Sequence, residues 1–327
     1  MADVDDRGQL LIVGAFTFAV MLVALAVLLN TAIYTGNVAT RDAGPGTGEA
    51  IEYEGEAATM ARDSLGAVNE REGATYADLR GNFTRAVDDW VAITRVHGAT
   101  SLAGGGLEPV GDPTRGTLIE QPNERNFTSA ATARNWTVAN DSTVRAFRLN
   151  VTQDSLETPP DGDLVDIIFG EDERPNYFHV RIDDGAETWR IYFARDANDS
   201  VSEDVTLSVD HDGSSDACSA PADNGTVAVD ITGAELGGSH CEPLENMTTA
   251  LDDSYTVSYR NGVNGTGTYS LVSNRAIGRL DTGADTTGAN DPTAERALYD
   301  ATFRVTWRTA DVYYQSELRI APGEADD

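Results

Sequence analysis

The sequence predicts one N-terminal transmembrane helix, a short α-helical region, and then a mainly antiparallel β domain, sandwich or barrel-like. Three features carry this expectation. Leu10 to Leu29 form an uncharged apolar run. The stretch from about Glu49 to His97 repeats its apolar residues every three to four positions, and from about Thr117 the repeat becomes two. The segments that follow are residues 1–8, a short cytoplasmic leader; 9–35, the membrane helix; 36–48, a linker; 49–98, the helical region; and 99–327, an extracellular β-rich domain.

The apolar run LLIVGAFTFAVMLVALAVLL has one hydroxyl, Thr17, and 20 residues, the length a helix needs to cross about 30 Å of hydrocarbon. Its Leu, Ile, Val and Phe side chains favour insertion by roughly 4–8 kcal/mol in sum, an upper figure because the scale applies at the helix centre. A removable secretory signal has a shorter apolar stretch, about 7–15 residues, ending at a small-residue cleavage site. This run is longer and continues into Asn30-Thr31-Ala32, which favours a retained anchor. Arg7 and Arg41 flank it on opposite sides, so positive charge does not set its orientation.

A charged leader, Asp5-Asp6, precedes Arg7-Gly8-Gln9-Leu10 and the apolar helix. This arrangement resembles the class III signal peptides of archaeal type IV pilin-like proteins. The wider pattern RGQLLIVGA…VLLNTAIYT is similar to a group of uncharacterised membrane-anchored surface proteins of halophilic archaea, over about the first 40 residues. The resemblance implies cutting on the cytoplasmic side between Gly8 and Gln9 by a prepilin peptidase, with the apolar segment kept as an anchor or assembled into a filament core. Two departures bear against a filament and leave the anchor. Val13 stands where bacterial pilins carry a glutamate that aligns subunits, and Gly44-Pro45-Gly46-Thr47-Gly48 interrupts the long helix of a major pilin.

Past that linker, Ala58, Ala61, Leu65 and Val68 define a helix over about Glu49–Glu70. Tyr76, Leu79, Phe83, Val87, Trp90, Ile93 and His97 define a second, over about Tyr76–His97, with Thr75 and Asp78 as a capping box in which Asp replaces Glu. Such a stripe lies on the protein's own core or docks a partner helix. Expected strands are Thr143–Thr152, Asp163–Phe169, Tyr177–Ile182, Thr188–Ala194, Val205–Val209, Thr226–Ile231 and Tyr255–Tyr259. A final hairpin sets Phe303, Val305 and Trp307 against Val312, Tyr314, Leu318 and Ile320, bending at Ala310-Asp311. Asp281–Pro292, poor in apolar residues, reads as a mobile loop. Short alternating strands parted by Gly, Asp and Asn turns are the pattern of an antiparallel sandwich or barrel.

Asn-x-Ser/Thr sequons begin at Asn82, Asn126, Asn135, Asn140, Asn150, Asn198, Asn224, Asn246 and Asn264. With 17 Asn and 51 Ser plus Thr in 327 residues, chance placement gives only about three, so the excess argues for glycosylation of an exported chain. In Phe147–Thr152, alternation turns Phe147, Leu149 and Val151 inward and Asn150 outward. The only cysteines are Cys218 and Cys241. An oxidising exterior would pair them, closing a loop that adds about 3 kcal/mol in the chain-entropy model. Free thiols are the alternative; a metal reading with His240 lacks the spacing of a zinc site.

The formal charge is −31, from 54 acidic residues against 23 basic ones, all arginine. Such self-repulsion destabilises a compact chain in dilute buffer. At about 1 M salt the Debye length is roughly 3 Å and repulsion is largely screened, so a halophile's protein is expected. With 40% hydrophobic residues in regular alternation, a disordered acidic chain is disfavoured. Phosphate backbones repel this surface, so nucleic acid is not an expected partner, and anionic headgroups repel the soluble part.

No HExxH, GxSxG or P-loop pattern occurs, and His97, His179, His211 and His240 are scattered; His179 and His211 are expected at solvent-facing strand or turn edges. Asp210, Asp212 and Asp216 around Gly213 form a weak calcium candidate that lacks the distal Glu of an EF-hand. A polar turn is the competing reading. No catalytic residue and no cofactor is expected. The sequence therefore favours a non-enzymatic, pilin-like surface protein that is held by the bilayer and meets pilin-like subunits or other surface proteins. An extracytoplasmic ligand-binding or adhesion module, and then a secreted hydrolase on a β fold, are the alternatives.

Overall fold

The computed structural model describes residues 47–71, 73–98, 104–158, 176–195, 204–251 and 254–324. The expected leader, cleavage point, membrane helix and most of the linker, with the strand Asp163–Phe169 and the sequon at Asn198, lie outside these residues. Among the described residues, no helix is long and apolar enough to cross a membrane.

The described part opens with α1 (Thr47–Asn69) and α2 (Tyr76–Gly98). Strands β1 (Gly104–Pro109), β2 (Arg115–Asn126), β3 (Trp136–Ser142) and β4 (Val144–Thr152) follow. Then come β5 (His179–Asp183), β6 (Thr188–Arg195), β7 (Asp204–His211), β8 (Ser214–Pro221), β9 (Thr226–Asp230), β10 (Glu235–Leu236) and β11 (Ser239–His240). A short helix, α3 (Glu242–Ala250), leads to β12 (Tyr255–Arg260), β13 (Thr266–Ser273), β14 (Thr293–Leu298), β15 (Ala301–Arg308) and β16 (Tyr313–Ile320).

Three sheets result, with orders β1-β15-β16, β11-β10-β9-β4-β13-β2-β14 and β3-β12-β5-β6-β7-β8. All the strand pairings in these three sheets are antiparallel, in keeping with the period-two alternation of half-exposed strands. The larger two sheets form a sandwich around one core that includes Ile119, Phe147, Leu149 and Leu271 from one side and Ile182, Ile191, Leu207 and Val257 from the other. Aromatic rings fill its middle: Phe127 stacks on Phe178 at 4.4 Å, and Tyr259 meets Tyr269 edge-on at 5.0 Å.

The three-stranded sheet carries the helix pair. Alanines at 50, 57, 58 and 61 let α1 approach closely, while Leu79, Phe83, Val87 and Val91 of α2 meet Phe303 and Val305 of β15 in a second core. The stripe on α2 departs from the expected course. After Val87 it continues through Val91, keeping a four-residue step, so Ile93 turns outward at 57% exposure and Trp90 sits at the margin on Tyr53. The His97 side chain lies outside the described part. The capping box closes reciprocally, Thr75 N–H donating to Asp78 Oδ2 (3.1 Å) and Asp78 N–H to Thr75 Oγ1 (3.3 Å).

Two polar clamps join the cores. Asn69, at the end of α1, donates to and accepts from Leu298 of β14 at 2.8 Å each. Arg145 of β4, 3% exposed, donates to the carbonyls of Tyr299 (2.7 Å), Pro322 (2.7 Å) and Leu298 (3.1 Å) and lies over the Tyr299 ring. Asp281–Pro292 contains no strand, yet it is not loose at Asp285. That carboxylate accepts from Thr287 N–H (2.7 Å), Thr287 Oγ1 (2.6 Å) and Asn290 N–H (3.0 Å). The Thr287 bonds first, then those from Asn290, hold its pKa down at about 2.

Candidate functional site

The disulfide and the sequons come first. Cys218 on β8 and Cys241, the residue preceding α3, form a disulfide with Cα atoms 5.8 Å apart. The bridge staples the edge strand of one sheet to the helix that leads into β12, and Cys241 is buried in the sandwich core. Of the sequon asparagines, Asn135, Asn150, Asn224 and Asn246 are exposed, and Asn82, Asn126, Asn140 and Asn264 are half-buried. Asn150 faces out while Phe147, Leu149 and Val151 are buried, as alternation requires. The amide nitrogens differ in freedom. Asn126 Nδ2 donates to the Val263 carbonyl at 3.2 Å, and Asn264 Nδ2 to that of Asn176. At Asn135 and Asn140 the carbonyl oxygen is the engaged atom, accepting from Asn261 N–H (2.8 Å) and Asp281 N–H (2.6 Å).

The acidic stretch Asp210–Asp216 is the β7–β8 hairpin, turning at Asp212 and Gly213, whose φ values of 50° and 81° fit a two-residue primed turn. Asp210 is 1% exposed and pairs with Arg190 at 3.2 Å, whereas the Asp212 side chain is 80% exposed, so the turn does not point its carboxylates at one centre. Among the described residues, no group of three or more His, Cys, Asp or Glu is gathered as a metal site.

The histidines also differ from the solvent-edge expectation. His211 stacks on Trp189 at 3.8 Å and reaches Glu187 at 3.2 Å. His179 packs on Tyr192 (4.6 Å), its Nδ1 3.1 Å from the Tyr177 carbonyl. Burial, with Arg190, Arg260 and Arg181 adding to it, lowers the His179 pKa to about 4. His240 is 3.2 Å from Glu245.

A cleft that sequence patterns did not indicate lies between α2 and the β1–β2 loop. It encloses about 650 Å³, and Tyr76, Arg80, Arg85, Asp88, Asp112 and Arg115 line it. A hollow of about 120 Å³ adjoins it, walled by Phe83, Val87, Pro109, Pro113 and Phe303. Arg80 bridges to Asp112 at 2.7 Å across the mouth, and Arg115 lies over the Tyr76 ring at 5.3 Å. The Tyr76 hydroxyl is fixed by donating to the Gly116 carbonyl (2.9 Å) and accepting from Ile277 N–H (3.0 Å). Chemically this is an apolar hollow with guanidinium donors at its rim, suited to holding a ligand with a carboxylate and a small apolar body. The amphipathic period of α2 could have shown its apolar half. Arg115 and Asp112 join it only through the fold.

A family model described as "Family of unknown function (DUF7261)" matches residues 4–103, a stretch that takes in the apolar run and both helices and stops before β1. No curated protein and no solved structure matches the chain.

Proposed function

We propose that this chain is a pilin-like, non-enzymatic surface protein of a halophile, anchored by residues 9–35, with its N-terminus in the cytoplasm and its β domain outside the cell. The Cys218–Cys241 bridge carries the reading, because structural disulfides persist in oxidising compartments and are rare in reducing ones. Exposed asparagines at four sequons, the 20-residue apolar run and the absence of lysine from a chain of charge −31 support it. Partners would be the bilayer and other surface subunits.

Mass spectrometry of the native N-terminus tests the pilin-like part. A chain starting at Gln9 is expected. One starting at Met1 or Ala2 reduces the protein to a plain signal anchor, and one starting beyond Thr31 removes the anchor.

The α2 cleft favours a second reading, an extracytoplasmic ligand-binding module. Titration calorimetry with phenylacetate at molar salt should then give heat that Arg115→Ala abolishes. No heat from the unaltered chain would discard this reading.

A further inference from the structure

Five large apolar side chains are strongly exposed among the described residues: Ile51 (62%), Ile93 (57%), Val96 (70%), Tyr313 (60%) and Val263 (44%). The first four share one end of the molecule. Phe83 of α2 meets Phe303 of β15 at 5.9 Å, and further along both elements Trp90 and Trp307 each lie 5.2 Å from Tyr53. Thus α2 and β15 run in the same direction, and α1 runs against them. Beyond the Tyr53 level lie the start of α1 with Ile51, the last turns of α2 with Ile93 and Val96, and the β15–β16 turn with Tyr313. This is the end at which the described chain begins, at Thr47.

We propose that this end, through Ile51, Ile93, Val96 and Tyr313, rests on the headgroup–acyl boundary of the bilayer. The inference rests on the membrane-anchor reading and adds the face by which the domain meets lipid. Two observations favour lipid over another occupant. Residues 36–46 separate the expected membrane helix from α1, and even a fully extended chain of that length spans no more than about 40 Å. The face also carries the chemistry of a membrane interface: aliphatic side chains, the exposed Tyr313 ring with Arg308 at 5.3 Å from its centroid, and half-buried Trp90 and Trp307 just behind. The face is itself acidic: Glu49, Glu52, Glu54 (bound to Tyr314 and Ser316) and Asp311 stand with Arg95 and Arg308, so seating on lipid requires salt. At molar salt the remaining repulsion from anionic headgroups is screened within roughly 3 Å.

The test uses the full chain in phosphatidylglycerol vesicles at molar KCl, some containing lipid brominated at shallow acyl positions. Because both native cysteines are oxidised, a fluorophore can be placed by Val96→Cys, with the exposed β5–β6 turn residue Ala186→Cys as control. Bromolipid should quench the label at position 96 and leave the one at 186 bright. Adding Ile51→Ser, Ile93→Ser and Tyr313→Ser should relieve the quenching without changing the thermal melt. Carbonate washing is read alongside. A carbonate-resistant chain whose label at 96 stays unquenched overturns the seating and leaves the anchor. Concentration-dependent shielding of that label without lipid quenching overturns it in favour of a second copy. Release by carbonate overturns the anchor itself, whatever the label reports.

Discussion

Arg145 shows how much one buried charge can organise. Its guanidinium has three carbonyl partners instead of a carboxylate, and burial lowers its pKa to about 10, so it remains charged at neutral pH. Replacing it by Met would strip the side-chain donor from the Tyr299 and Pro322 carbonyls, leave Leu298 with Asn69 alone, and free the C-terminal turn, where Tyr299 donates to Glu324 at 2.6 Å. A loss of about 2–4 kcal/mol in denaturant unfolding is expected, with earlier proteolysis after Ile320. His179 gives a pH signature. Its folded pKa of about 4 lies below the ordinary value of 6.5, so the unfolded chain binds more protons between those limits. Stability should therefore be fully present above pH 6.5 and fall as pH drops toward 4, by on the order of 1–3 kcal/mol. Melts of His179→Gln against the unaltered chain should lose that part of the pH slope. Tyr259 predicts the opposite of a normal core deletion. Its hydroxyl is fully buried and has no hydrogen-bond partner among the described residues, so Tyr259→Phe should leave the melting temperature unchanged or raise it. None of these roles was readable from local sequence. Arg145 and Leu298 are brought together only by pairing strands far apart in the chain, and alternation assigns a burial, not a partner.

Strands whose side chains alternate cleanly were legible. Val144–Thr152, Thr188–Arg195 and the closing hairpin fall close to their expected bounds. Those that escaped have a physical reason. β1 is Gly-Gly-Gly-Leu-Glu-Pro, β14 is built from Thr-Ala-Glu-Arg-Ala-Leu, residues that favour a helix in isolation, and β13 alternates polar side chains with few aliphatics. Sheet neighbours hold all three in place. The short helix α3 was missed for similar reasons: it has nine residues, and its stability comes from Leu244 and Met247 docking in the sandwich core beside the disulfide. Reducing that bridge should cost about 3 kcal/mol and loosen α3 before the sandwich opens, which amide exchange with and without reductant would reveal. Sequon geometry makes a sharper prediction. Site-resolved glycopeptide mapping should find sugar at Asn246, Asn135 and Asn150, the last held only by a long, exposed 3.4 Å contact to the Thr268 hydroxyl, and little at Asn126 and Asn264, whose amide nitrogens are bound to backbone carbonyls. Equal occupancy at all five would mean attachment before these loops fold.

The whole molecule is an acidic sandwich with a helix-covered three-stranded sheet beside it, and its charge sets the conditions under which it stays folded. Lowering KCl from about 3 M to about 0.1 M lengthens screening to roughly 10 Å and should lower the melting temperature steeply. A melt insensitive to salt would remove the halophilic reading. Fold class was legible because burial periodicity is written along the chain. The α2 cleft and the apolar end of the molecule were not, because each collects residues from α1 or α2 and from strands far along the chain. Export of the β domain is the claim on which the functional account depends, and one measurement addresses it most directly: fractionate the native cells, wash membranes with carbonate, and determine redox state and glycosylation of the recovered chain together. The account predicts a carbonate-resistant protein with Cys218 bonded to Cys241 and sugar on Asn246. A soluble, sugar-free protein with both thiols reduced would contradict it.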